Sequence, residues 1–145
     1  MITKTRATVL LIMTVLLSVS FAGVRRDDAV NLSEVFASQS GNFSGWADLG
    51  SASRTKAMNN LAALVIISGD MVDNWQGELA ALGLSEENVA VIWGKLKKID
   101  EKLSYFGGIS GEPSVSTARD VYAKELVATA HLFYELGELY AAAGL

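Results

Sequence analysis

The sequence contains no cysteine, and proline and histidine occur once each. Without cysteine there is no disulfide framework, no thiolate metal site and no cysteine to carry a lipid anchor. With one histidine, the paired Glu-x-x-His sites of di-iron bundles cannot be built, because they need that motif on two helices. No glycine-rich phosphate loop and no haem-attachment motif is present. Gly108-Ile109-Ser110-Gly111 approaches the nucleophile-elbow pattern but has Glu112 in place of the last glycine, and it follows a helical pattern where a strand is required. What remains is a chain half apolar by composition, its polar residues in regular helical spacing.

The first residues read as an export signal. Lys4 and Arg6 precede an apolar run from Ala7 to Ala22, and Ser20-Phe21-Ala22 supplies small residues at alternate positions before Gly23. Residues 1–22 are therefore expected to be a signal peptide. The alternative is an uncleaved membrane anchor over residues 7–24, since Val24 extends the run before Arg25 and Arg26. The destination is periplasmic or extracellular, or the membrane surface in the anchored case. Loss of Lys4 and Arg6 from the twelve basic residues leaves ten against sixteen acidic, a net charge of −6. Such a balance argues against nucleic acid, whose binding is dominated by phosphate neutralisation. Asn31-Leu32-Ser33 and Asn42-Phe43-Ser44 match the glycosylation sequon, but Asn31 falls in a helical pattern.

Three long amphipathic patterns organise the rest. From Ser53 to Leu82 the residues Met58, Leu61, Val65, Ser68, Val72, Trp75, Leu79 and Leu82 step by three and four, as one face of a helix does. Ser51 or Ser53 is the expected N-cap, and Gly69 and Gly77 are read as marks of close helix approach. Gly83 ends this helix and Ser85 caps the next, whose stripe is Val89, Ile92, Leu96, Ile99, Leu103 and Phe106. The short link makes these two helices antiparallel neighbours. After a linker with the single proline, Ser114 or Ser116 caps a last helix with Tyr122, Leu126, Thr129, Phe133, Leu136 and Tyr140 on one row. Ala123, Ala130, Gly137 and Gly144 lie on the row beside it, where a neighbour can approach closely. Residues 51–145 are thus expected to form a three-helix core, preceded over residues 23–50 by a short helix capped by Asp28 and a glycine-rich loop from Ser38 to Gly50. The fold class is all-α, an up-down helical bundle of three long helices plus a short first one.

The candidate sites are few. Phe43 and Trp46 stand in the expected loop. Either they tuck into nearby apolar surface, covering the outward-pointing Ile66, or they wait for a partner. Lys95, Lys98 and Lys102 share a face that suits an acidic partner or lipid headgroups. Trp75, Trp93 and Tyr122 are the residues expected to line an apolar pocket if helices part to hold a small ligand. Asp70 and Asp73, with Glu78 near them, are the acids whose burial would suggest acid–base work. His131, Glu135 and Glu138 share a helix face at metal-ligand spacing, but they lie opposite Phe133 and Leu136 and are read as a solvated face, with a metal site as the weak alternative. The reading taken from these residues is an exported, non-enzymatic interaction or structural module that binds a protein partner or itself, with no metal or cofactor required. A small-ligand bundle is the alternative, and an enzyme using helix-borne carboxylates comes third.

Overall fold

A computed structural model describes residues 25–145; the expected signal or anchor, residues 1–22 or 7–24, lies outside the described residues. The described chain is all-helical, with four helices. α1 spans Arg25–Ser44 and a 3₁₀ turn Trp46–Asp48 follows it; α2 spans Ser51–Glu78 and tightens into a 3₁₀ turn at Leu79–Leu82; α3 spans Glu86–Gly107. α4 covers residues 115–142. It starts as Val115–Thr117, widens into one π-helical turn at Ala118–Tyr122 and continues as Ala123–Ala142.

The helix ends follow local chemistry. The Ser85 hydroxyl accepts the Asn88 amide at 3.2 Å, and Glu86 and Glu87 lie in that first turn, where the helix dipole favours acids. Gly83 closes the preceding turn at φ 71°, a left-handed conformation that glycine adopts without a Cβ penalty. Ser114 accepts from the Thr117 amide at 3.1 Å and so starts α4. The N-cap of α2 is Gly50, which offers no side chain, in place of the expected Ser51 or Ser53.

Side-chain pairs fix the directions. Arg25 at the start of α1 meets Glu78 at the end of α2. Lys95 and Lys102 on α3 meet Glu135 and Glu125 on α4 in inverse order. Phe43 near the end of α1 packs edge-on against Tyr122 near the start of α4. Each of these pairs of helices is therefore antiparallel, and α1 packs most extensively on α4.

The first segment departs from expectation. It is a helix of 20 residues, not a short helix followed by a loop, and Asp28 is buried inside it and does not cap it. Its Leu32, Phe36 and Phe43, together with Trp46, have no exposed surface. Phe36 stacks on Phe133 at 5.3 Å, and the Ser33 hydroxyl donates to the Ala130 carbonyl at 2.7 Å. The segment covers α4, whereas Ile66 on α2 is left 66% exposed. Serine, asparagine and glycine lower helix propensity in α1, but close packing on α4, as in the Ser33 bond to the Ala130 carbonyl, outweighs propensity.

Along α2 the buried row is Ala57, Leu61, Leu64, Ser68, Val72 and Trp75, continued by Leu79 in the 3₁₀ turn that follows. Met58 and Val65, expected on that row, are half-buried beside it. Gly69 and Gly77 do not mark close approach, since a Cβ added to either would meet nothing within 4 Å.

Candidate functional site

Polar chemistry concentrates where α1 begins and α2 and α4 end. The Arg25 Nε donates to Glu78 Oε1 at 2.5 Å. That bond, with smaller attraction to Glu78, Tyr140 and Asp28, raises the guanidinium above its ordinary value against the opposing cost of burial. Tyr140 has no exposed surface, and its ring meets Trp75 edge-to-face at 5.9 Å. Its hydroxyl is buried without a hydrogen-bond partner, and burial pushes the phenol well above its ordinary range. This cluster holds two buried polar residues, Asp28 and Tyr140, under a partly exposed ion pair. Sequence reading missed it because Arg25, Asp28, Glu78 and Tyr140 come from three helices far apart in the chain. Asp27 and Asp28 both stand in the first turn of α1, and the sequence gives no signal that only the second is buried.

The opposite end is aromatic. Phe43 and Trp46 stack at 5.1 Å, nearly parallel, and Tyr122 lies edge-on to Phe43 at 6.0 Å. The Arg54 guanidinium donates twice to the Trp46 carbonyl, at 2.8 and 3.2 Å, and stands 5.3 Å from the centre of the indole. The Trp46 Nε1 is buried without a partner. Phe43 and Trp46 are therefore core, not an interaction surface, because ring stacking and the Arg54 lid remove them from water.

The remaining expected residues are dispersed. Trp75 and Tyr122 lie at opposite ends of the bundle, and Trp93 stands 44% exposed on α3 with the Lys97 ammonium 5.8 Å from its ring. These three aromatics line no common pocket. Asp70 and Asp73 are exposed on α2, so they lack the burial that acid–base work requires. His131, Glu135 and Glu138 are exposed on α4, and among the described residues no group of three His, Cys, Asp or Glu is arranged to hold a metal ion. Glu135 instead accepts from Lys95 at 2.7 Å, which lowers its carboxyl below the usual range.

The lysine row is divided by the same contacts. Lys95 and Lys102 are held by Glu135 and Glu125, which leaves Lys98 exposed between them. The lysines thus fasten α3 to α4 more than they form a free basic surface. Among the described residues no helix is long and apolar enough to cross a membrane.

The outer surface is the other feature with chemical content. Ile66, Val91, Trp93, Tyr105, Val121, Val127 and Tyr134 are the large apolar side chains most open to water. Ile66 is bordered by Asp70 and Asp73 at i+4 and i+7, and Trp93 by Lys97 at i+4 and by Glu86 and Asp100 at i−7 and i+7. Compared with family models, curated proteins and solved structures, the chain matches none.

Proposed function

We propose that this chain is an exported, non-enzymatic helical-bundle module that acts by binding protein, either a partner or a second copy of itself. The observation that supports the reading is the outward display of Ile66 and Trp93 on a bundle whose own core is already filled by Phe36, Phe43, Trp46, Phe133 and Tyr140. Ile66 and Trp93 could supply the apolar centre of a protein contact, with the charged residues beside them as its rim. Asp70 and Asp73 on α2 and His131 on α4 are exposed to water. Export rests on Lys4, Arg6 and the apolar run to Ala22, ahead of Gly23.

Two measurements test the reading. Full-length chain expressed in bacteria should be recovered outside the cytoplasm with Gly23 as its first residue. A membrane-bound product retaining Met1 would replace export by anchoring. Hydrogen exchange on the recovered protein in its complex should show protection on the outer faces of α2 and α3. Protection confined to the ends of the bundle, with turnover of a small molecule, would overturn the binding reading.

A further inference from the structure

We infer that α2 is a hinged flap, which rocks on α3 and lifts from α1 and α4 while those two helices stay together. The inference goes beyond the binding reading above and does not depend on it.

The bundle is divided unevenly. α1 packs most extensively on α4, whereas the backbone of α2 approaches α3 more than α1, and α4 least of all. Small residues make the seam of α1 with α4, where the Ala29 Cβ stands over Gly137 and Ala130 is buried. Large side chains separate α2 from α4, as where the Trp75 ring meets Tyr140 edge-to-face.

Unbonded polar groups lie along the same division. The Tyr140 hydroxyl, the Trp46 indole Nε1 and the Asn60 amide oxygen are buried without a hydrogen-bond partner. Each borders α2. Tyr140 lies against Trp75, Trp46 lies under Arg54, and Asn60 stands on α2 itself. A buried donor or acceptor left unbonded raises the energy of the closed state, and it is relieved as soon as water reaches it. Lifting α2 relieves all three groups. Parting α1 from α4 would instead break the Ser33 bond to the Ala130 carbonyl and the stack of Phe36 on Phe133.

Two arginines fasten the flap at its ends. Arg25 of α1 binds Glu78, the last residue of α2, and Arg54 near the start of α2 donates to the Trp46 carbonyl. The Arg25–Glu78 pair is partly open to water, where ion pairs contribute little. The hinge is the 3₁₀ turn Leu79–Leu82 with Gly83, since element ends absorb such changes of angle. α3 does not follow α2 away from α4, because Lys95 and Lys102 hold it to Glu135 and Glu125. Opening bares Leu61, Leu64, Val72 and Trp75, so the closed state dominates and the open one is a minor population.

The chain has no cysteine, so single thiols can report on the opening. Ser68 is fully buried and lies seven residues before Trp75, on the same helix face. Ser68→Cys is nearly isosteric there, and Ala130→Cys puts a thiol in the seam of α1 with α4. Reaction of each full-length variant with a thiol reagent is followed across low urea concentrations, relative to the same thiol in the unfolded chain. Position 68 should react at least about tenfold faster than position 130 and depend less on urea, because partial opening exposes less surface than unfolding. Adding Tyr140→Phe, which removes a hydroxyl that opening relieves, should slow reaction at position 68 about tenfold. Equal rates with equal urea dependence at the two positions would mean that only unfolding of the whole molecule exposes them, and would overturn the inference. Faster reaction at position 130 would mean that α1 and α4 part first, and would overturn it as well. If a cysteine variant does not fold, hydrogen exchange of the Trp46 indole N–H in the unchanged protein decides. Exchange faster than the slowest backbone amides of α1 and α4 supports the flap, and exchange at their rate overturns it.

Discussion

Val30 of α1 lies directly over Gly137 of α4. A Cβ built on Gly137 would stand 3.1 Å from Val30 Cγ2 and 3.3 Å from the Arg26 carbonyl oxygen. The second of these is backbone and cannot rotate away, so glycine is what permits the close approach of α1 and α4 at this point. Gly137→Ala should therefore destabilise the protein by about 1–3 kcal/mol, the usual cost of overpacking, despite alanine's better helix propensity. Urea unfolding of the two proteins checks this. Equal or greater stability in the variant would mean that α1 and α4 separate freely at this point.

Gly77 is the control. It is exposed on α2 with nothing near its missing Cβ, so the helix suffers the entropy of glycine without any packing return. Gly77→Ala should stabilise by about 0.5–1 kcal/mol in the same measurement. The opposite signs expected for two glycines in comparable helices separate close packing from propensity.

Tyr140 carries a buried hydroxyl with no partner, beside the Arg25–Glu78 pair. An unpaired buried polar group costs about 1–3 kcal/mol, so Tyr140→Phe should keep the Trp75 ring contact and raise stability by about 1 kcal/mol. Desolvation by burial is the main reason the phenol is raised, with the Glu78 carboxylate adding to it and Arg25 opposing. A raised folded pKa means that stability from this group is complete below the unfolded phenol value of about 10 and is lost as pH rises through the higher folded value. Phenolate absorbance should show one of the four tyrosines ionising late, together with alkaline unfolding. The late step should be absent from Tyr140→Phe.

The fold was legible where one face of a helix is apolar and the opposite face charged. α3 is the clear case, since Ile92, Leu96, Ile99, Leu103 and Phe106 are all buried as their spacing requires. α2 was legible only in outline. Leu61 to Ile67 is apolar all round, so its spacing fits two adjacent rows, and the choice of Ala57 and Leu64 over Met58 and Val65 is made by neighbours that the pattern does not contain. α1 was misread because a stretch of serine, asparagine and glycine carries turn chemistry. Its helix exists through contacts with residues about a hundred positions away, such as Ser33 with Ala130. The candidate surface was legible in part. Ile66 points outward by period alone, but Phe43 and Trp46 do not cover it, and a local sequence gives no means of seeing the Tyr122 and Arg54 groups that bury them.

That misreading gives the most direct test of the architecture. If Val24 to Gly50 were a loose arm over Ile66, a chain beginning at Ser51 would stay folded and cooperative, with only moderate loss of stability. The structure requires the opposite. Without α1, the rows of α4 that hold Phe133, Ala130 and Gly137 face water, and the stack of Phe36 on Phe133 and the Trp46–Arg54 contacts go with it. Phe36→Ala alone should cost about 3–5 kcal/mol, the range for deleting a fully buried phenyl ring. Against a typical domain stability of about 5–15 kcal/mol, removal of the whole helix should leave no cooperative transition. Thermal unfolding followed by circular dichroism distinguishes the two. The chain from Ser51 should melt broadly or begin unfolded, and Phe36→Ala should still unfold in one step at a lower temperature. A sharp transition in the shortened chain would mean that α2, α3 and α4 hold themselves together, and that α1 is laid on a core already complete.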